Sequence, residues 1–166
     1  MPRETTAPAA TPADFEVARL LFREYEAALG VDLCFQNFAA ELQSLPAMYG
    51  PPGGWLLLAY SEDQPVGCGG FRQLGPDLCE MKRLYLRSEV RGRGLGRRLA
   101  GELIERARAM GYRSMVLDTL PSMVEARALY HSLGFQETSP YYANPVPGAL
   151  FLRLPLEPAP PEVATP

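Results

Sequence analysis

Arg91-Gly92-Arg93-Gly94-Leu95-Gly96 combines residue types and a spacing suited to holding an anion. Glycines at alternate positions let the main chain approach a bulky phosphate with no side chain in the way. Behind the turn, Leu95, Leu99, Leu103, Ala107 and Met110 recur at helical spacing, so a helix starts within it. The first N–H groups of a helix lack intrahelical partners, and its dipole places partial positive charge there. Arg91, Arg93, Arg97 and Arg98 add full charges. In front of the turn, Leu78 to Leu86 reads as a strand. Strand, glycine turn and helix start together predict a pyrophosphate cradle.

Two other phosphate-binding patterns fit less well. A dinucleotide fingerprint needs Gly or Ala for close helix–strand packing where this chain has Arg97, and it belongs to an opening strand–helix–strand unit. A Walker loop needs Gly-Lys-Ser/Thr, and none follows. The charge distribution favours one local polyanionic ligand. Between Lys82 and Arg113 stand ten basic residues against three acidic ones, a window of +7 in a chain of net charge −3, so the remainder carries −10. Nucleic-acid binding would call for a broader basic face and interleaved aromatics, and a pI of 5.3 argues against it. The alternative for Arg106, Arg108 and Arg113 is a solvated helix face rich in arginine.

The 166 residues suffice for one domain with a core, and their 47% hydrophobic and 21% charged composition is that of an ordinary globular protein. Cys34, Cys68 and Cys79 form no CxxC pair, and His131 is the one histidine, so no metal site is expected. An odd number of scattered thiols suits a reducing cytoplasm. Neither a signal peptide nor an apolar run of the roughly 20 residues that span a bilayer is seen.

The elements that must position the turn read as an α+β (α/β mixed) domain over 13–155, between a disordered tail at 1–12 and a Pro-rich tail at 156–166. A helix begins near Asp14 with Phe15, Ala18, Leu21, Phe22, Tyr25 and Leu29 on one face and ends at Gly30. A second helix is expected from about Phe35 to Leu45, closed by Pro46. Strands follow at Trp55–Tyr60, Val66–Arg72 (weakened by glycine) and Leu78–Leu86. After the turn and its helix come a strand at Tyr112–Leu117, a helix at Val124–Leu133 ended by Gly134, and a closing strand at Leu150–Leu154.

Arg91-x-x-Gly94-x-Gly96, together with Ala128-Leu129-Tyr130-His131-Ser132-Leu133-Gly134-Phe135, resembles the two signatures of the GCN5-related N-acetyltransferase (GNAT) superfamily, in the right order and at about the right separation. The resemblance spans roughly residues 13 to 155. It implies the acyl-CoA N-acyltransferase fold, a central mixed, mostly antiparallel sheet flanked by helices. It also implies acetyl-CoA as cosubstrate, with pyrophosphate held by Arg91, Gly92, Arg93, Gly94, Leu95, Gly96 and Arg97. The main chain at Leu84, Tyr85 and Leu86 would pair with the pantetheine arm and polarise the thioester carbonyl.

Tyr130 matches the family's general acid for the departing thiolate; otherwise it is a helix tyrosine with a buried ring. Glu80 is the best-placed carboxylate for a base; it can equally be an exposed ion-pair partner of Lys82 or Arg83, with a water chain as base. His131 points about 100° away from Tyr130 on a helix and reads as a surface residue. The family often has an asparagine where this chain has Met123, and its first strand is weakly marked at Thr5–Pro8. Ser122 and Glu125 are candidates to replace the asparagine near the cofactor.

By the same resemblance the acceptor site is built from Phe15–Met48 and from Thr138–Gly148. Tyr141, Tyr142 and Asn144 of the second segment either line the pocket or brace a rigid connection. The implied activity is N-acetyl transfer to a primary amine of a small molecule or peptide by direct attack. A non-catalytic acyl-CoA-binding regulatory module is the alternative. The expected partners are acetyl-CoA and an amine, with a homodimer open and neither nucleic acid nor membrane involved.

Overall fold

The computed structural model describes residues 2–156. Its first element is a strand, β1 (Glu4–Pro8), in the stretch expected to be a tail. Backbone pairing with β2 (Trp55–Ser61) forms it despite weak apolar character, from Glu4 opposite Ser61 to Pro8 opposite Leu57. Helix α1 (Pro12–Leu29) starts at a capping box. Thr11 Oγ accepts from the Asp14 N–H at 3.1 Å, and the Asp14 carboxylate accepts from the Thr11 N–H at 3.0 Å. The expected second helix is broken in three: a 3₁₀ turn at Leu33–Gln36, α2 (Phe38–Gln43) and α3 (Leu45–Tyr49). Asn37 interrupts it in the left-handed region, φ 59°, and Pro46 opens α3 rather than closing a helix, because a first-turn proline lacks only an N–H that would be unpaired anyway.

The remaining elements follow the expected order, with one short unexpected strand, the sixth, added: β3 (Gln64–Gly75), β4 (Leu78–Leu86), α4 (Leu95–Ala109), β5 (Ser114–Thr119), α5 (Val124–Ser132), β6 (Gln136–Glu137) and β7 (Leu150–Pro155). The domain continues to Leu156, which is buried and whose N–H donates to Arg113 O at 2.7 Å. The rest of the expected C-terminal tail lies outside the described residues. The sheet runs β1-β2-β3-β4-β5-β7-β6, and every pairing is antiparallel except β4–β5. It is the mixed, mostly antiparallel sheet flanked by helices that the sequence implied. Among the described residues no helix is long and apolar enough to cross a membrane.

Each sheet face carries its own core. On one, Leu99 and Leu103 of α4 pack with Met115, Phe135 and Leu152; on the other, Leu21 and Phe22 of α1 pack with Leu45, Tyr49 and Leu58. Burying each such side chain contributes about 1.5–3 kcal/mol. The glycines that seemed to weaken β3 let the helices come close. A Cβ at Gly70 would sit 2.9 Å from the Tyr49 ring.

The β4–β5 junction is three residue pairs long: Leu78 with Ser114, Cys79 with Met115, and Glu80 with Val116. Past Glu80 the two strands are unpaired. There β4 carries a bulge, with one extra residue between the Lys82–Gly70 and Tyr85–Cys68 pairs. Arg83 takes up the bulge at φ 62°, a conformation that costs a non-glycine residue on the order of 1–3 kcal/mol. Its guanidinium is clamped by Glu41 of α2 through Nε at 2.8 Å and a second nitrogen at 2.7 Å. The Tyr49 hydroxyl donates to the same carboxylate at 2.9 Å, and the Phe38 ring lies 5.0 Å below the guanidinium. Both charged side chains are under 4% exposed.

Burial alone would raise the Glu41 carboxyl, but the hydrogen bonds and charge of Arg83 outweigh it and hold the group below its ordinary value. Removing one partner leaves the other charge buried and alone, so Glu41→Gln is expected to cost about 3–5 kcal/mol, read from denaturant midpoints at pH 7. A carboxyl lowered on folding contributes in full above the unfolded value, about 4.3. That contribution is lost as pH falls through the lower folded value, so the gap between wild type and variant should narrow steadily as the pH is taken below the unfolded value.

Candidate active site

Gly92 and Gly94 of the turn lie in the left-handed region, at φ 79° and 82°. Gly94 is the N-cap of α4 and supplies no side-chain cap, which leaves the first-turn amides to an outside acceptor. A cleft of about 540 Å³ runs from Gly92, Gly94 and Gly96 past Leu84, Tyr85 and Leu86 to Met123. This is where β4 has left β5. Arg91 and Arg97 line the cleft. Arg91 Nε donates to Leu86 O at 2.9 Å, and Arg97 donates to Ser132 Oγ at 3.0 Å. The other two turn arginines face elsewhere. Arg93 pairs with Glu4 of β1 at 3.1 Å, and Arg98 pairs with Glu102 at 3.3 Å. The Leu95 side chain is core, so only its amide faces the turn.

Tyr130 of α5 is buried edge-on against Phe135, with ring centroids 5.7 Å apart. Burial first, then the nearby Tyr25 and Asp118, push its phenol well above the ordinary value. No hydrogen bond joins its hydroxyl to another described residue, so ring burial and an available donor coexist. Tyr130 lines a second, smaller cavity of about 30 Å³, room for about one water molecule, together with Gln36, Lys82, Asp118 and Asn144. The cleft and this cavity share Tyr25, Leu84 and Met123. Met123 therefore stands at their junction, while Glu125 sits on the cleft wall and Ser122 and His131 are exposed.

Glu80 lines neither cavity. It lies in the closed part of the sheet, 1% exposed, where it accepts from Arg72 Nε at 2.8 Å and from the Tyr141 hydroxyl at 2.6 Å. Lys82 Nζ is 3.7 Å away. This is an ion pair, but a buried one formed with Arg72 and Lys82, because Arg83 is committed to Glu41. Tyr141 thus covers Glu80 instead of lining the small cavity, and burial with the adjoining carboxylate pushes its phenol far up. Asn144 lines the cavity, and Tyr142 does not line it but is hydrogen-bonded to Gln36, Asp118 and Asn144, which do. Tyr142 and Asn144 both donate to Asp118 Oδ2, Asn144 at 2.9 Å, and Gln36 Nε2 adds a third contact at 3.2 Å. Burial and Asp118 together raise the Tyr142 phenol.

Asp118, Lys82 and Gln36 are the site residues that sequence reading passed over. Asp118 did carry a signal: it is one carboxylate directly after the apolar run Met115 to Leu117, on the same strand. Lys82 was counted only as part of the basic window. Gln36 carried no signal of its own.

The family model of the acetyltransferase (GNAT) family matches residues 16–135, which include the turn, the cleft strand and the Tyr130 helix. The chain belongs to that family. This GNAT chain is accordingly an acetyl-CoA-dependent N-acetyltransferase. It is 45% identical over 145 residues to an uncharacterized N-acetyltransferase of Schizosaccharomyces pombe, covering 86% of this chain and 89% of that protein. Over 128 residues it is 34% identical to another of Escherichia coli, covering 75% of each. Solved structures share the fold. A Staphylococcus aureus GNAT acetyltransferase superposes with a TM-score of 0.77 at 17% identity, over 93% of this chain and all of that one. A putative acetyltransferase of Salmonella typhimurium, solved with its cofactor acetyl-CoA, gives 0.67 at 22% identity over 98% and 99%.

Gly94 has open space around a new Cβ but a left-handed backbone. Gly94→Ala is therefore expected to cost about 1–2 kcal/mol of stability through φ alone. Gly101→Ala, within α4 and equally unobstructed, should instead gain up to about 1 kcal/mol. Denaturation midpoints of the two variants test the difference.

Proposed function

We propose that this acetyltransferase moves the acetyl group of acetyl-CoA to the primary amine of a small acceptor, by direct attack across the opening between β4 and β5. One observation carries this reading. The cleft on the glycine turn and the cavity on Tyr130 meet at Tyr25, Leu84 and Met123, so a donor lying in the first presents its reactive end to an acceptor in the second.

Acetyl-CoA supplies an activated thioester and a thiol leaving group. The amides of the turn and of the first turn of α4 hold the pyrophosphate, with the Arg91 and Arg97 guanidinium groups beside them. The Leu84–Leu86 main chain, free of β5, pairs with the pantetheine arm as an added strand would. An N–H of this stretch donates to the thioester carbonyl, a contact of the kind that contributes about 3 kcal/mol to a transition state. Asp118 receives the acceptor's ammonium and takes the proton that must leave before attack.

The amine nitrogen then bonds to the acetyl carbon while the carbon–sulfur bond breaks. Tyr130 donates its phenolic proton to the departing sulfur and recovers one from the new amide nitrogen, so the amine's proton ends on the thiol. Because burial holds the phenol protonated, this donor persists across neutral and mildly alkaline pH.

Tyr130→Phe is expected to lower kcat by about 10²-fold or more while acetyl-CoA affinity stays near wild type, measured by thiol release and calorimetry. Equal turnover in the variant would remove the donor role. Asp118→Asn is expected to raise KM for the acceptor and lower kcat together. Glu80→Gln should lower the thermal midpoint and leave kcat near wild type; the reverse pattern between these two variants would return the base role to Glu80.

A further inference from the structure

The small cavity holds two opposite charges that are not paired with each other. Asp118 collects its three hydrogen bonds on one oxygen, Oδ2, all from the uncharged donors Gln36, Tyr142 and Asn144. No cation lies within 4.0 Å of it among the described residues. Lys82 is 5% exposed at its side chain, yet its ammonium makes one hydrogen bond, to Gln36 Oε1 at 3.3 Å. Its neighbouring carboxylate, Glu80, is already bound by Arg72 at the shorter distance of 2.8 Å. Two of the three ammonium donors are thus unused by the described residues. A buried ammonium in that state calls for an anionic acceptor. Gln36 stands between the charges, accepting from Lys82 through Oε1 and donating to Asp118 through Nε2, and so keeps them from closing on each other.

We infer that the acceptor is a free α-amino acid, its ammonium on the open Asp118 Oδ1 and its carboxylate on Lys82 Nζ, with the Gln36 amide setting the gap between them. The inference rests on the acetyl-transfer reading of this site. Adjacent ammonium and carboxylate groups supply what each side of the cavity lacks. A plain amine would leave Lys82 with only its bond to Gln36 and its 3.7 Å contact to the shared Glu80, and would add a cation beside it, which disfavours such acceptors. A peptide N-terminus also lacks the carboxylate next to its amine. The cavity has room for about one water molecule, so it takes only the charged ends of such a head group, and the rest of the amino acid lies at its junction with the cleft, by Tyr25, Leu84 and Met123.

The test uses the full chain with acetyl-CoA, following release of coenzyme A. Acceptors are the protein L-amino acids, their α-amides and the corresponding decarboxylated amines. The best amino acid should exceed its own amide at least tenfold in kcat/KM. That ratio should collapse towards one in Lys82→Met and persist in Lys82→Arg. Thermal-midpoint shifts with the same compounds in the presence of coenzyme A give a readout independent of turnover.

Amides or plain amines that turn over as well as the acids would overturn the inference and leave acetyl transfer intact. If no compound turns over, an acid-selective midpoint shift lost in Lys82→Met supports the carboxylate site and removes the transfer reading. Equal or absent shifts for acid and amide in that case overturn the inference as well.

Discussion

The buried Arg83–Glu41 pair is the constraint on which the rest of the molecule depends. It holds Arg83 in a backbone conformation that a side-chain-bearing residue adopts only when its surroundings insist on it. The resulting bulge breaks the strict alternation of β4, so that Lys82 and Arg83, neighbours in sequence, both reach toward the α1–α3 side, one to Gln36 and the other to Glu41. The same irregularity follows directly on the last β4–β5 pair. A single ion pair therefore ties the helical cap to the sheet at the point where the sheet divides. An apolar pair could pack as well or better in energetic terms, but it would not fix the direction of a strand in the same way.

The division separates tasks. On one side of the gap, the turn and α4 present backbone amides, and only two of the four turn arginines keep their charges at the cleft. The other two are occupied by Glu4 and Glu102, so the positive field is narrower than the count of basic residues suggests. On the other side, neutral donors crowd one oxygen of Asp118, while the Glu80 carboxylate is saturated by Arg72, Lys82 and Tyr141. Two carboxylates on adjacent strands thus have opposite availability. Depth in the sheet decides it: Glu80 sits where the strands are still joined, and Asp118 past the last joined pair.

How much was legible in the sequence follows from distance along the chain. The turn, its helix and the Tyr130 signature are local patterns, and the elements carrying them were readable from residues 78 to 134. The acceptor side was not, because Gln36, Lys82, Asp118 and Asn144 come from four separate segments brought together only by the sheet and the cap. Glu80 and Tyr141 were singled out individually, but nothing in their local patterns shows that they bind each other across 61 positions. Strand β1 was only weakly marked, and its stretch was read as a tail, for a similar reason: its apolar signal is slight, and its partner β2 lies some 50 residues onward. Pro46 was read correctly as a helix boundary and wrongly as an end, since a proline marks a first turn as readily as a stop.

Strand β1 also bears on how the chain assembles. Glu4 meets Arg93 and Thr6 meets Glu102, separations of 89 and 96 residues, while the strand's backbone ladder is with β2. During synthesis it therefore emerges long before anything it can pair with, and the glycine turn is made before α4 can present Glu102 to Thr6. Closing such loops is slow relative to local helix formation. The earliest segment of the domain is thus among the last to be secured, and its docking completes the outer support of the turn that was built without it.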